Sequence, residues 1–185
     1  MKKLEFFYDI VSPYSYIAAT QMAKFEGKAE VVWRPALLGG IFKATGNSGP
    51  AFTVPAKAPY MFKDLQRLSA YYGIPLKMPA AFPANTVTVQ RVLCAASDEQ
   101  RPALTHKLYN AYWGQGLDVT NTELLTELVG AELLAKTQEE DIKNQLKTNT
   151  EAAIAIGAFG VPTFVMDSEM YFGEDRLFLI HEALK

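Results

Sequence analysis

The sequence predicts an α/β fold in which a β-α-β part and an α-β-β-α part are separated by a large block of helices. Strand-like runs rich in aromatic and β-branched residues occur near both ends of the chain, at residues 4–9 and 30–34 and at 163–166 and 169–172. Between them, residues 60–146 show helical periodicity. No internal repeat or flexible linker interrupts the chain, so a helical block inserted into a split mixed sheet explains this order.

The first part of the chain has the pattern of a β-α-β unit. The strand at residues 4–9 is followed by Ser12 and Pro13, a hydroxyl N-cap with proline at the first helical position. The helix is expected to continue as far as Gly27, where the second strand follows. A helix that links two strands in this way makes a right-handed crossover, so the two strands should be parallel.

The middle of the chain divides into an irregular segment and a helical block. Residues 36–59 are rich in glycine and proline, and a long irregular segment is more often functional than idle. The periodicity that follows predicts helices over residues 60–72, 86–97, 101–113, 122–132 and 139–146. We expect residues 1–36 and 149–185 to form the α/β part and residues 37–148 to form the insertion.

The last part of the chain returns to mixed structure. A helix over residues 151–156 should end at Gly157, and two strands should follow around a tight turn at Asp167-Ser168. Residues 175–184 should form a closing helix.

Composition and charge exclude several classes of function. Of the 185 residues, 49% are hydrophobic, which is enough for a sizeable core. Eighteen basic and 20 acidic residues give a net charge of −2, without a basic block that could follow a phosphate backbone or an anionic membrane. No apolar run is long enough to cross a membrane. We therefore expect neither nucleic acid nor a membrane as a partner.

The few cysteine and histidine residues argue against a disulfide framework and a metal site. Cys94 is the single cysteine, and no cysteine or histidine lies at zinc-ligand spacing. Cys94 stands in a predicted helix beside apolar residues, so we expect it to be packed and not nucleophilic. Glu5 and Asp9 interrupt what would be the apolar core of a signal peptide. The expected location is the cytoplasm.

The four residues Ser12-Pro13-Tyr14-Ser15 occupy a place, after a strand and at a helix start, where a thiol–disulfide enzyme carries Cys-x-x-Cys. Both ends are hydroxyls here, so the site would handle a thiol that the protein does not supply. A thiolate at a helix N-terminus is stabilised by the partial positive charge there, and the Ser12 hydroxyl can add a hydrogen bond. Ser before Pro is also an ordinary N-cap. The two roles can coexist.

Several short motifs occur in order along nearly the entire chain. They are Phe7-Tyr8-Asp9, Ser12-Pro13-Tyr14-Ser15-Tyr16, Pro35-Ala36-Leu37-Leu38-Gly39-Gly40, Gly46-Asn47, Asp64-Leu65-Gln66-Arg67, Phe159-Gly160-Val161-Pro162 and Phe172-Gly173-Glu174-Asp175-Arg176-Leu177. In this order, with the helical block between them, they resemble the family of 2-hydroxychromene-2-carboxylate isomerases and kappa-class glutathione transferases. The resemblance implies a thioredoxin-like fold with a large all-helical insertion, in which Pro162 is cis and faces the start of the first helix.

The resemblance also implies reduced glutathione as cofactor, a homodimer and roles for particular residues. Ser12 would be the catalytic residue and would keep glutathione as its thiolate. The glutathione contacts would come from Ser12, Asn47, Lys57, Val161, Pro162, Gly173, Glu174 and Asp175. Tyr14 and Lys43 would contact the substrate, Lys43 through the substrate carboxylate. Each of these residues also has an ordinary structural explanation as a turn, cap or surface residue.

The resulting hypothesis is a glutathione-dependent isomerase that acts on a small aromatic pyruvate-type substrate. It would interconvert 2-hydroxychromene-2-carboxylate and trans-o-hydroxybenzylidenepyruvate in the catabolism of naphthalene-type compounds. One alternative is a kappa-class glutathione transferase or peroxidase, and another is a non-catalytic thioredoxin-like binding module. A disulfide oxidoreductase is opposed by the serines at positions 12 and 15.

Overall fold

The computed structural model describes residues 1–49 and 53–185. Its described part contains a four-stranded sheet in the order β2-β1-β3-β4. These strands are β1 (Lys2–Tyr8), β2 (Ala29–Pro35), β3 (Thr163–Met166) and β4 (Glu169–Phe172). Strands β1 and β2 are parallel, whereas β3 is antiparallel to both β1 and β4. The predicted split sheet and its parallel first pair are confirmed.

The first helix, α1 (Pro13–Thr20), ends before the predicted stop at Gly27. The backbone N–H of Gln21 turns to the carbonyl oxygen of Ala18 (2.9 Å), which tightens the end of the helix. A 3₁₀ turn, Met22–Phe25, then continues the chain towards Gly27. The prediction of a helix was right, but its last turn has a different geometry.

The segment predicted to be irregular contains a helix, α2 (Leu38–Thr45), so that part of the prediction is wrong. Gly39 and Gly40 suggested a loop because glycine disfavours helices. A Cβ added to Gly40 would lie 3.0 Å from Cγ2 of Thr150, so the glycine permits a close approach between two helices. The contact that explains Gly40 is therefore 110 residues away and has no local signature.

The helical block follows as α3 to α8, and α9 closes the chain. Their bounds are α3 (Lys57–Tyr72), α4 (Val87–Ala95), α5 (Arg101–Tyr109), α6 (Thr122–Val129), α7 (Ala131–Lys136), α8 (Glu140–Ala155) and α9 (Leu177–Ala183). A π-helical turn, Asn110–Gly114, extends α5, and a 3₁₀ turn, Glu174–Arg176, precedes α9. Among the described residues, no helix is long and apolar enough to cross a membrane.

Two helix boundaries differ from the sequence prediction. Gly130, at φ +84°, separates α6 from α7, where a single helix was expected. In contrast, α8 is continuous where two helices, 139–146 and 151–156, were expected. Helix α8 runs without a break through residues 148 and 149, where one domain boundary was expected. The division into residues 1–36, 37–148 and 149–185 stays a prediction.

The core joins the sheet to the helical block. Phe6 of β1 stacks on Tyr8 and on Phe164 of β3, each with ring centroids 4.9 Å apart. Trp33 of β2 meets Phe6 edge to face at 5.1 Å. Tyr109 of α5 packs on Tyr8 at 6.2 Å. Since aromatic burial dominates the energetics of such a core, α5 is held against the end of β1, where Ser12 follows.

Candidate functional site

Ser12 lies at the start of α1, buried beneath the loop that precedes β3. Its Oγ accepts a hydrogen bond from the backbone N–H of Ser15 (3.1 Å), so Ser12 is the N-cap of α1. The same hydroxyl donates to the carbonyl oxygen of Val161 (3.2 Å). The N-cap explanation is confirmed. The catalytic role stays a prediction and is compatible with the cap.

The peptide bond between Val161 and Pro162 is cis. The carbonyl oxygen of Pro162 accepts a hydrogen bond from the backbone N–H of Gly173 (3.0 Å). One end of this loop therefore touches Ser12, and the other end touches the residue that precedes Glu174. Three segments that are distant in sequence, 12–15, 161–162 and 173–175, meet as the resemblance implied.

Three carboxylates, Asp64, Glu174 and Asp175, form what we call the acidic end of the site. Glu174 is 7% exposed. Burial, and then the charges of Asp175 and Asp64, raise the pKa of Glu174 to about 7. Asp175 is exposed and pairs with Arg176 (2.6 Å). At neutral pH the acidic end therefore holds a carboxyl group that is close to its own midpoint of titration.

Tyr14, the second residue of α1, is linked to the acidic end. Its hydroxyl donates to Oδ2 of Asp64 (3.1 Å). Burial, followed by the charge of Asp64, raises the pKa of the Tyr14 phenol well above its ordinary value. Tyr14 is consequently a neutral hydroxyl at physiological pH. Asp64 lies in one of the short motifs of the family resemblance but has no role in the sequence-based hypothesis. It joins the site through this hydrogen bond.

Both polar groups of the Asn47 side chain form hydrogen bonds with the protein's own backbone. Its Nδ2 donates to the carbonyl oxygen of Phe159 (2.8 Å), and its Oδ1 accepts from the backbone N–H of Gly49 (3.1 Å). Asn47 therefore supports the loop that leads to Val161 and Pro162. A direct contact between Asn47 and glutathione stays a prediction.

The two predicted lysines lie on the surface. Lys43 is in the last turn of α2, and Lys57 is the first residue of α3. Both are exposed, and within residues 1–49 and 53–185 neither side chain forms an ion pair. Their ammonium groups are therefore available to ligands. The structure does not bring them into contact with Ser12.

Asp9 is a buried carboxylate that was not predicted to take part in the site. Its Oδ1 accepts from the hydroxyl of Thr86 (2.6 Å) and the N–H of Val11 (3.2 Å), and its Oδ2 accepts from the N–H of Leu38 (2.9 Å). Burial raises the pKa of Asp9, and these hydrogen bonds oppose the rise. The sequence did contain a signal for the buried position of Asp9. Asp9 comes directly after a strand predicted to be buried, and a buried carboxylate requires hydrogen-bond donors.

A cavity of about 490 Å³ adjoins the acidic end and not the Ser12 turn. Its walls include Lys24, Tyr72, Glu174, Asp175 and Phe178, whereas Ser12 is not among them. Cys94 lies elsewhere, buried in α4, and burial raises its pKa to about 12. The packed position expected for Cys94 is confirmed, and its thiol stays protonated at neutral pH.

Comparisons with known proteins identify the family of the chain. The model of the DSBA-like thioredoxin domain matches residues 3–185. Glutathione S-transferase kappa 1 of Rattus norvegicus is 34% identical over 96% of this chain and 88% of its own length. The 2-hydroxychromene-2-carboxylate isomerase of Pseudomonas putida is 31% identical over 98% of this chain and 93% of its own.

A solved structure of a 2-hydroxychromene-2-carboxylate isomerase also superposes on the chain. Its TM-score is 0.85 at 29% identity, and the match covers 98% of this chain and 94% of the other. The thioredoxin-like fold with a helical insertion is thereby confirmed. The chain belongs to the family of DSBA-like thioredoxin domains, in the group that contains the kappa-class glutathione transferases and the 2-hydroxychromene-2-carboxylate isomerases.

Proposed function

We propose that the protein is a glutathione-dependent isomerase that interconverts 2-hydroxychromene-2-carboxylate and trans-o-hydroxybenzylidenepyruvate. One observation carries the proposal: a buried serine hydroxyl, not a cysteine, lies at the N-terminus of α1 and contacts the residue before cis Pro162. Such a place stabilises a thiolate, and the single cysteine of the chain is buried in another helix. The thiol must then come from a cofactor.

The hydrogen bonds of Ser12 fit a thiol ligand. Its Oγ already accepts from the N–H of Ser15, so its one proton is free to be redirected. In the structure this proton goes to the carbonyl oxygen of Val161. If Ser12 donates to a sulfur instead, Val161 becomes free to accept from the peptide N–H of the ligand's cysteinyl residue. The two changes compensate one another, so ligand entry leaves no buried acceptor unpaired.

The chromene hemiketal first opens as its ring C–O bond breaks and the proton of its 2-hydroxyl passes to the phenolic oxygen. The thiolate then adds to the conjugated double bond of the ring-opened substrate, and the displaced electron pair moves to the ketone oxygen as an enolate. The resulting single bond rotates, and collapse of the enolate restores the double bond and expels the thiolate. The protein's contribution is positional and electrostatic. Ser12 keeps the sulfur ionised, and Lys43 binds the substrate carboxylate through its free ammonium group. Tyr14, held by Asp64, lines the approach to Ser12 as a neutral side chain.

The two ends of glutathione have candidate partners among the predicted residues. Lys57 would bind the glycyl carboxylate, and Asp175 would pair with the γ-glutamyl ammonium. Backbone groups of Gly173 and Glu174 adjoin Asp175, and Asn47 supports the loop that carries Val161. A homodimer and a cytoplasmic location, both expected from the sequence, stay predictions.

A kappa-class glutathione transferase or peroxidase is the second candidate. It is favoured by the relative of Rattus norvegicus, whose identity of 34% is similar to that of the isomerases. Both functions use the same thiolate, and they differ in the group that receives the sulfur. A non-catalytic binding module would need the fold but not a thiolate at Ser12.

Two measurements separate the candidates. Calorimetry at millimolar glutathione should show binding, and absence of binding would leave only the binding module. An absorbance assay should then show interconversion of 2-hydroxychromene-2-carboxylate and its ring-opened isomer with glutathione present and not without it. Conjugation of a generic electrophile together with no interconversion would instead identify a transferase.

A further inference from the structure

Residues 9–11 join β1 to Ser12, and side chains of the inserted helices hold their backbone. The hydroxyl of Tyr109 donates to the carbonyl oxygen of Asp9 (3.0 Å), and Nε1 of Trp113 donates to the carbonyl oxygen of Ile10 (2.8 Å). Both side chains are fully buried. Tyr109 ends α5 and Trp113 lies in the π-helical turn that follows, a geometry that is frequent at functional sites.

Gln90 of α4 connects the same segment to the ends of two strands. Its Nε2 donates to the carbonyl oxygens of Tyr8 (2.8 Å), the last residue of β1, and Ala36 (2.9 Å), the residue that follows β2. Its Oε1 accepts from the backbone N–H of Ile10 (3.3 Å). Gln90 is fully buried in an otherwise apolar helix face. All of its hydrogen bonds therefore go to the chain that leads to Ser12 or to the neighbouring strand end.

Ser12 and Tyr109 share one acceptor. The backbone N–H of Ser12 donates to the carbonyl oxygen of Asp9 (3.0 Å), the atom that also accepts from the Tyr109 hydroxyl. These groups lie away from water, where an unpaired donor or acceptor costs about 1–3 kcal/mol. A displaced turn would break several of these bonds together, so the turn has one strongly preferred conformation.

We propose that Gln90, Tyr109 and Trp113 are positioning residues for Ser12, which hold the start of α1 where its hydroxyl and N–H groups meet the thiol. The proposal rests on the proposed function, because it assumes that a thiol binds at Ser12. None of the three needs to touch glutathione or substrate. They act through residues 9–11. The helical block therefore controls the acidity of a thiol bound at Ser12, in addition to packing on the α/β part.

The expected consequence is a change in thiol acidity. Stabilisation of a thiolate by a hydroxyl and a helix start depends on distances of a hydrogen bond's length. A turn that samples several positions stabilises the thiolate less, so the thiol pKa rises and turnover falls, whereas affinity for the rest of glutathione changes little. A purely structural role would lower the melting temperature without moving the thiol pKa.

The first experiment compares Tyr109→Phe with Tyr112→Phe. Tyr112 is the matched control, because it is also a fully buried tyrosine of the helical block, but its hydroxyl donates to Ala81 (2.7 Å) and not to residues 9–11. We expect Tyr109→Phe to lower kcat about 3-fold to 10-fold with KM for glutathione within about twofold, the size of one buried hydrogen bond. Tyr112→Phe should leave both unchanged. Equal losses in the two variants would overturn the proposal.

The second experiment does not depend on glutathione. Ser12→Cys places a thiol at the same turn, and its pKa can be titrated by the absorbance of the thiolate. Cys94, with its pKa raised to about 12, does not titrate in the same range. In this background we expect Tyr109→Phe to raise the thiol pKa by about 0.5 unit and Gln90→Met by about 1 unit, with Tyr112→Phe unchanged.

The two experiments fail in different ways. If the wild-type protein does not bind glutathione, the proposed function is wrong, but the titration of the Ser12→Cys series still tests the positioning residues. If glutathione binds and the introduced thiol has the same pKa in all variants, the proposed function stands and the positioning role is wrong. Melting temperatures identify any variant whose effect comes from partial unfolding.

Discussion

The Ser12 turn and the acidic end of the site differ in how their polar groups are satisfied. Around Ser12 the backbone carbonyls of Asp9 and Ile10 and the hydroxyl itself are hydrogen-bonded within the protein. At the acidic end, burial and two neighbouring carboxylates oppose the charge of Glu174. Within residues 1–49 and 53–185, the Glu174 carboxylate itself has no ion pair or hydrogen bond that offsets them. The first region is organised before a ligand arrives, whereas the second would gain from one.

Under the proposed function, this difference would give the two regions separate roles in binding glutathione. A sulfur has to be placed to within a fraction of an ångström of its stabilising donors, which favours the rigid turn. The ammonium of an amino acid is recognised mainly by charge, which suits the unpaired carboxylate of the acidic end. The following variants test this comparison, from the largest expected effect to the smallest.

Ser12→Ala should remove most of the catalytic activity that depends on the Ser12 turn while leaving the fold intact. We expect kcat to fall about 100-fold, the effect of removing one preorganised donor from developing or stabilised negative charge. Steady-state kinetics with saturating glutathione measures this loss. The free energy of unfolding should fall by only about 1 kcal/mol, because an N-cap is lost.

A second cap provides the control for Ser12→Ala. Asn121 is the N-cap of α6 and accepts from the N–H of Leu124 (3.0 Å). Asn121→Ala should cost a similar free energy of unfolding with no change in kcat. Unchanged kcat in Ser12→Ala as well would mean that Ser12 is only a cap.

Glu174→Gln should remove an unfavourable negative charge from the acidic end, and its effect on stability should depend on pH. In the native state the pKa of Glu174 is about 7 instead of its ordinary 4.5, so the native state holds this proton more tightly than the unfolded chain does. Stability that is present below about pH 4.5 is therefore lost as the pH rises through about 7. The neutral glutamine avoids this loss and should raise the free energy of unfolding by about 2 kcal/mol at about pH 8, with little change at about pH 4.

Denaturant unfolding at both pH values measures this effect. Glu169→Gln, at the exposed first position of β4, is the matched control and should differ from wild type by less than about 0.5 kcal/mol at either pH. If Glu174→Gln and Glu169→Gln behave alike, the acidic end carries no excess of unfavourable charge, and the contrast with the Ser12 turn disappears.

Lys43→Met should affect substrate binding alone. We expect KM for the aromatic carboxylate to rise about 10-fold, equivalent to about 1.4 kcal/mol for one exposed charged contact, with KM for glutathione unchanged. Lys147→Met, at an exposed position of α8, supplies the control for loss of a surface cation. A rise in KM for glutathione but not for substrate would reassign Lys43 to the cofactor.

Much of the fold is predictable because its signals are local. The strand runs, the Ser12-Pro13 helix start and the Asp167-Ser168 turn each act over a few residues, and all three are present. The helix α2 was not predicted because Gly40 is explained by its close approach to Thr150, and no nearby residue indicates that contact. The burial of Glu174 was missed for the same reason, since exposure depends on which elements pack nearby.

The sequence by itself determined the split sheet, the cap at Ser12 and the absence of a thiol in the first turn, because residue types and short spacings specify these features. The resemblance implied that Pro162 faces the start of the first helix, but only the tertiary structure gave the hydrogen bond from Ser12 to Val161, 149 residues away, and that from Trp113 to Ile10 across 103 residues. It likewise placed Glu174 among carboxylates. The physical reason is that burial and long-range hydrogen bonds are properties of packing, which no short stretch of sequence encodes alone.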